Sequence, residues 1–164
     1  MSNVTMADPS QRPSPKAKLL WAIEASLLWV VLLVAQLIWA IVTGDWTSPP
    51  HAAAFVISIL GAAVGILLVP KWRWAVHRWE ISDTAVYTRT GWLTQESRIA
   101  PISRVQTVDT ERGPIERLLG LATVTVTTAS SAGAVKITAL DRDVAKTVAA
   151  QLTEIAAAHT GDAT

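Results

Sequence analysis

The chain contains no cysteine among its 164 residues, so disulfides, zinc–thiolate sites and thiol nucleophiles are excluded. Charged side chains are also scarce. They make up 16% of the sequence, whereas a typical soluble domain carries about 25%. The net charge is only +1, which provides no strong field for nucleic acid. We therefore expect no nucleic-acid partner.

The low share of charged residues reflects two long apolar runs near the N-terminus, which span residues 19–42 and 52–69. As helices they would be about 36 Å and about 27 Å long, against a hydrocarbon core about 30 Å thick. They are predicted to be transmembrane helices joined by a short extracytoplasmic loop, residues 43–51. A signal peptide is the alternative for the first run, but the run is too long and no small-x-small cleavage site follows it.

The distribution of Lys and Arg predicts the orientation of this hairpin. The joining loop carries no Lys or Arg and a single acidic residue, Asp45. Basic residues flank the hairpin on its other side, at Arg12, Lys16, Lys18, Lys71, Arg73 and Arg78. The positive-inside rule then places both termini in the cytoplasm. The expected location is the cell membrane, with two spans.

Small and polar residues inside the hairpin leave two pairs of interpretations open. One face of the second run consists of small residues, namely Ala54, Ser58, Gly61 and Gly65. Such a face allows close helix packing, either against the first helix or in a homodimer. In the first run, Glu24 either reaches back to the headgroups or forms an ion pathway with Gln36.

The remaining boundaries follow from composition. Residues 1–18 are rich in proline and polar residues and are predicted to be a disordered cytoplasmic tail. Pro70 is predicted to end the second helix. Residues 70–74 then form an interfacial connector, whose Lys71, Trp72, Arg73 and Trp74 could contact lipid headgroups. Residues 75–159 form a cytoplasmic domain, and residues 160–164 a disordered tail.

A period of two dominates the first part of this domain and a helical period its end, so about six antiparallel strands and a C-terminal amphipathic helix are predicted. The fold class is α+β, with a bent sheet or partly open barrel capped by that helix. In the strand ATVTVTT, Val124 and Val126 are expected to face inward. Its three threonines, Thr123, Thr125 and Thr127, are expected to face outward. The apolar stripe of the helix is predicted to be Val144, Val148, Leu152, Ile155 and Ala156.

The stretch RIAPISRVQTVDTERGPIERLLGLATVTVTTAS, residues 98–130, resembles the bacterial pleckstrin-homology-like family of YdbS-type membrane proteins. The matching features are the R-I-x-P-x-x-R-V-Q run, the G-P-x-E-R-L-L-G-L turn and the T-V-T-V-T-T-A strand. Two preceding transmembrane helices also match that family's layout. The resemblance implies a curved antiparallel sheet capped by a C-terminal helix, and it implies no reaction.

Four arginines lie inside this stretch, at Arg98, Arg104, Arg112 and Arg117. They could bind lipid phosphate or acidic groups of a partner, or they could pair with Asp109, Glu111 and Glu116. The sequence shows no catalytic arrangement, phosphate loop, metal-ligand set or cofactor motif. We therefore expect no enzyme. The leading hypothesis is a scaffold that assembles with membrane or envelope proteins, or with itself. The alternatives are an anionic-lipid-binding module and a small component of a transport or ion pathway.

Overall fold

The computed structural model describes residues 9–129 and 133–161. The described chain divides into two compact units. One is a helical unit, Lys18–Trp72, and the other is formed by the described residues on either side of it. Each unit has its own packing.

The helical unit consists mainly of two long apolar helices, as predicted. Helix α1 is Ala17–Thr43, and helix α2 is Pro49–Val76. Their apolar side chains point outward, as shown by Val31, Val42 and Ile57, which are all well over half exposed. A core helix of a soluble protein would bury such side chains. The exposed apolar surface therefore matches helices that lie in lipid.

Pro70 does not end the second helix, so the prediction of a separate connector at 70–74 is wrong. A π-helical turn, Val64–Leu68, precedes the proline, and the N–H of Val69 bonds to the carbonyl of Val64. Proline lacks an N–H and its ring crowds the preceding turn. A π turn widens the hydrogen-bond ladder at this point and gives the ring room. The helix therefore continues to Val76.

The second unit contains six antiparallel strands, as predicted. They form two three-stranded sheets in the orders β1–β2–β3 and β4–β5–β6. The strands are β1 Arg78–Ile81, β2 Ala85–Gly91, β3 Gln95–Pro101, β4 Val105–Glu111, β5 Leu121–Thr128 and β6 Val135–Asp141. Among the described residues the two sheets form a PH-like sandwich and do not close into a barrel.

Three helical segments complete this unit. A 3₁₀ turn, Ile102–Arg104, connects the two sheets, and α3, Pro114–Leu119, connects β4 to β5. Gly120 ends α3 with a φ of 71°, a left-handed conformation that glycine adopts without strain. The C-terminal helix α4 is Arg142–Gly161. It extends two residues into the predicted C-terminal tail, and residues 162–164 lie outside the described residues.

The core lies between the sheets and α4. Its largest fully buried side chains come from both sheets, the 3₁₀ turn and the helix, namely Val86, Ile102, Leu121, Val124, Val126, Ile137, Leu140 and Leu152. Val148 and Leu152 of the predicted helix stripe are buried, but Val144 is 42% exposed. Ala145, which is fully buried, takes the place predicted for Val144. The stripe is therefore rotated by one residue in the first turn of α4.

The central strand β5 is buried on both faces, which corrects the prediction for its threonines. Val124 and Val126 are fully buried, as predicted, but Thr123 and Thr125 are also buried. Thr123 donates to a carboxylate oxygen of Glu116 at 2.9 Å and accepts from the N–H of Ala139. Alternation of valine and threonine is typical of a half-exposed strand, but here hydrogen bonds satisfy a threonine on a covered face.

The N-terminal segment preceding α1 packs on the sheet, so the prediction of a disordered tail is wrong from Pro9 onward. Gln11 and Trp79 exchange two backbone hydrogen bonds, at 2.9 and 3.1 Å. The N–H of Ser14 donates to the carbonyl of Ala139. This segment therefore extends the first sheet beyond β1. The predicted tail also included residues 1–8, which lie outside the described residues.

Candidate functional site

The structure places the four predicted arginines in three regions. Arg98 lies on β3 in the first sheet. Arg104 precedes β4, whereas Arg112 follows it and Arg117 lies on α3. A seven-residue strand is about 23 Å long, so Arg104 is well separated from Arg112 and Arg117. The four side chains therefore do not form one cluster.

Arg112 and Arg117 contact backbone carbonyls rather than the acidic neighbours proposed for them. The Nε of Arg112 donates to the carbonyl of Leu121 at 3.1 Å, and the Nε of Arg117 donates to the carbonyl of Arg112 at 3.2 Å. Glu116 instead accepts from the N–H of Gly113 at 2.7 Å and caps α3. These bonds hold α3 against the start of β5.

The outer strand of the second sheet and α3 form an exposed surface, which we call the edge surface. We define it by Arg104, Thr107, Asp109, Arg117 and Leu118. Strand β4 is the last strand of its sheet among the described residues. All five side chains are exposed, and Leu118 is exposed to 86%. The edge surface thus combines a sheet edge, charges of both signs and an unusually exposed leucine.

The residues of the predicted connector that were expected to contact headgroups do not share one environment. Lys71 and Trp72 are exposed near the end of the helical unit. Trp74 is half-buried, and its indole N–H donates to the carbonyls of Pro13 and Ser14 at 3.1 and 3.2 Å. The guanidinium of Arg12 lies 4.7 Å from the centre of the Trp74 ring. Trp74 therefore anchors the N-terminal segment of the chain.

The small-residue face of α2 packs against α1. The amide of Gln36 donates to the carbonyl of Ala54 at 3.2 Å and to the hydroxyl of Ser58. The ring of Trp29 lies directly over Gly61 and Gly65. A Cβ on Gly61 would overlap this ring, and a Cβ on Gly65 would lie 2.8 Å from its Nε1. The four small residues thus give room to two larger side chains of the neighbouring helix.

The structure also contains a concave region that the sequence analysis did not predict. It is a groove of about 520 Å³, which we call the basic groove, where β2 and β3 meet β6. Its lining includes three cations, one carboxylate, one histidine, one tryptophan and three threonines: Arg73, Arg98, Lys136, Glu96, His77, Trp92, Thr88, Thr90 and Thr138. Of these, only Arg73 and Arg98 were predicted as site residues, because the others are distant in sequence and carry no motif.

Two interactions define the electrostatics of the basic groove. The Nε of Arg98 contacts a carboxylate oxygen of Glu96 at 2.7 Å. The Nδ1 of buried His77 donates to the carbonyl of Arg73 at 2.8 Å. Burial lowers the pKa of His77, this hydrogen bond raises it in part, and the Arg73 charge lowers it further. His77 is therefore neutral at pH 7, and the positive charge of the groove comes from Arg73, Arg98 and Lys136.

Comparisons with known proteins match these features. The family model described as "Bacterial PH domain" matches residues 17–156. The UPF0699 transmembrane protein YdbS of Bacillus subtilis (strain 168) is 30% identical over 128 residues, which cover 75% of this chain and 79% of that protein. No solved structure matches the chain. Two lipid-compatible helices, a PH-like sandwich and these matches show that the chain is a membrane protein belonging to the YdbS-type bacterial PH domain family.

Proposed function

We propose that this protein is a non-catalytic, membrane-anchored interaction module that binds another membrane or envelope protein through the edge surface. The observation that carries the proposal is the exposure of Leu118, at 86%, beside the last strand of a sheet. Leucine side chains at the centre of protein interfaces are buried on binding. An edge strand can also pair with an extended segment of a partner.

The charges of the edge surface limit which segments can pair there. Asp109 and Glu111 are exposed on β4, and charged side chains on an edge strand oppose indiscriminate pairing. Arg104 and Arg117 lie beyond the two ends of this strand. A partner segment with a basic centre and acidic flanks would match this order of charges.

The connection to the membrane supports the same role. Helix α2 ends at Val76 and β1 begins at Arg78, so a single residue separates them. The membrane anchor thus confines the protein to two dimensions. This confinement raises the effective concentration of a membrane-bound partner, so weak contacts suffice for assembly. By the positive-inside rule, we infer that the domain faces the cytoplasm.

The two alternative functions receive less support from the side chains that would serve them. A transport or ion pathway would use Gln36, but its amide bonds to α2. Recognition of headgroups by residues 71–74 would use Trp74, but its indole bonds to the N-terminal segment. Lys71 and Trp72 in this segment, and Arg104 and Arg117 beside β4, retain the exposure that lipid recognition requires.

In-membrane photo-crosslinking tests the proposal. A photoreactive residue would replace Arg104 or Arg117 in the full chain, in its native host, and Lys146 on α4 would serve as the matched exposed control. We expect one discrete adduct with another protein from both edge positions and none from the control. If the only adducts had twice the mass of this chain, they would show self-association. That result would contradict binding to a different protein. An equal adduct from position 146 would also contradict the proposal.

A further inference from the structure

The turn between β2 and β3 carries two large apolar side chains that the domain leaves exposed. It consists of Trp92, Leu93 and Thr94, which we call the hairpin tip. Trp92 is 40% exposed and Leu93 is 75% exposed. Turns are dominated by Gly, Pro, Asn, Asp and Ser, and a single exposed apolar side chain on a surface is ordinary. A tryptophan and a leucine next to each other at the end of a hairpin instead indicate a surface that is covered by something apolar.

Gly91 fixes the backbone at the start of the hairpin tip. Its φ is 110°, in a region that other residues rarely adopt. A Cβ at this position would overlap the carbonyl oxygen of Thr94, so the chain reverses tightly here. Strands β2 and β3 remain paired up to Gly91 and Gln95. The hairpin tip is therefore held at the very end of a regular hairpin.

The hairpin tip lies at the end of the first sheet where the chain arrives from α2. Arg78 is the first residue of β1, and it pairs with Arg89, near the end of β2. Helix α2 ends two residues before Arg78. In agreement with this register, Trp92 and Arg73, which belongs to the last turn of α2, line the same basic groove. The β1–β2 turn, residues 82–84, lies at the opposite end of the sheet.

The end of α2 that shares the groove with Trp92 is also where α2 passes the lipid headgroups. The second apolar run ends at Val69, and Arg73 follows about 6 Å further along the helix axis. Each headgroup layer of a bilayer is about 5–7 Å thick. Large side chains beside Arg73 can therefore reach the boundary between headgroups and acyl chains. Tryptophan is enriched at this boundary in membrane proteins, because its ring is apolar and its N–H is polar.

We propose that the hairpin tip inserts into the interfacial layer of the leaflet from which α2 emerges, with Leu93 reaching the acyl chains and Trp92 lying among the headgroups. The tip is then a second attachment besides α2, and two attachments fix the rotation of the domain about the helix axis. The contact needs an apolar boundary and no anionic lipid. It is independent of the edge surface, which lies on β4 and α3, since α2 alone keeps the protein in the membrane when the tip is released.

Fluorescence quenching of the full chain in nanodiscs tests the proposal. The chain has no cysteine, so Thr94→Cys carries a single fluorophore at the hairpin tip, and Asp83→Cys carries it at the opposite end of the sheet. Both positions are exposed. The discs contain phosphatidylcholine, part of which bears a nitroxide quencher at the top of its acyl chains. We expect strong quenching at position 94 and little at position 83. Equal quenching at the two positions overturns the proposal.

Substitutions of Leu93 in the Thr94→Cys protein show whether insertion causes the quenching. Leu93→Asp is expected to lower the equilibrium constant for insertion by about tenfold or more, because a buried leucine is lost. Quenching at position 94 should then fall to the level at position 83. Leu93→Ile keeps the apolar surface and should keep the quenching. Leu93 is 75% exposed, so neither substitution should change the denaturation midpoint.

Two further outcomes decide against insertion of the hairpin tip. Undiminished quenching with Leu93→Asp would show that the fluorophore enters the bilayer by itself. Quenching that appears only after anionic lipid is added to the phosphatidylcholine discs would show recognition of charged headgroups. Either result overturns the proposal.

Discussion

Trp29 gives the two glycines of α2 a physical role. Its indole ring occupies the space in which a Cβ of Gly61 or Gly65 would lie. In a membrane, helices associate through such close contacts, because burial of apolar surface gives little advantage over lipid. The glycines are thus best understood as one half of a packing contact whose other half is an aromatic side chain in α1.

We predict that Gly61→Val destabilises the hairpin by about 1–3 kcal/mol, the typical cost of overpacking. The measurement is the denaturation midpoint of the full chain in detergent. Ala63→Val is the control, since Ala63 is exposed on the same helix, and we expect little change from it. Equal midpoints for Gly61→Val and the unmodified chain would show that Trp29 moves away without cost.

His77 is expected to make the stability of the domain depend on pH. Its pKa is lowered in the folded state, mainly by burial, so the unfolded chain binds a proton first as the pH falls. Stability is therefore complete above the unfolded pKa, near 6.5, and decreases as the pH falls from there through the lower folded pKa. Denaturation at pH 8 and pH 5 should show this decrease, and His77→Gln should reduce it. The same pH dependence in both proteins would exclude His77 as its cause.

The N-terminal segment, Pro9–Lys16, is the element whose role differs most from its sequence pattern. It bonds to β1 through Gln11 and to β6 through Ser14. At its end, Lys16 donates to the carbonyl of Leu119 at 3.3 Å and lies 3.9 Å from Asp141. The segment therefore contacts residues that lie 68 to 125 positions further along the chain, as the pairs Gln11–Trp79 and Ser14–Ala139 show.

We predict that Trp74→Phe destabilises the domain by about 1–2 kcal/mol, because the indole hydrogen bonds to Pro13 and Ser14 are lost. It should also speed proteolytic cleavage within the N-terminal segment. Trp72→Phe is the matched control, since Trp72 is 58% exposed. If both substitutions change cleavage to the same extent, the indole of Trp74 does not hold the segment.

Local sequence patterns predicted the elements whose structure is determined locally. The apolar runs and the six strands are of this kind. The structural predictions that were wrong concern residues whose distant contacts override the local preference of the chain. Gln11 pairs with Trp79 across 68 positions, the π turn accommodates Pro70, and Glu116 satisfies buried Thr123. None of these partners is visible in a short window of sequence.

The same limit applies to the functional surfaces of the whole molecule. The resemblance in residues 98–130 pointed to the stretch that contains the edge surface, but the exposure of Leu118 depends on how α3 packs. The basic groove combines Arg73, Arg98 and Lys136 from a helix end and two different sheets. Lys136 was therefore not predicted, although it lies in a strand whose pattern was interpreted correctly.

The orientation of the whole protein is testable with single cysteines, because the natural chain has none. Thr47→Cys lies in the loop between α1 and α2, and Asp83→Cys lies in the turn between β1 and β2, and both positions are exposed. An impermeant maleimide added to intact cells should label Cys at position 47 but label position 83 only after the membrane is opened. The reverse pattern would contradict a cytoplasmic domain.

The central claim is that the edge surface holds a partner protein at the membrane, and Leu118→Asp tests it most directly. Leu118 is so exposed that its replacement should change folding stability by no more than about 0.5 kcal/mol. The measurement is the yield of the partner adduct from a photoreactive residue at position 104. We predict that Leu118→Asp lowers this yield by about tenfold or more, whereas Leu93→Asp, at a position 75% exposed in the other sheet's hairpin, leaves it unchanged. An undiminished yield with Leu118→Asp would contradict the account.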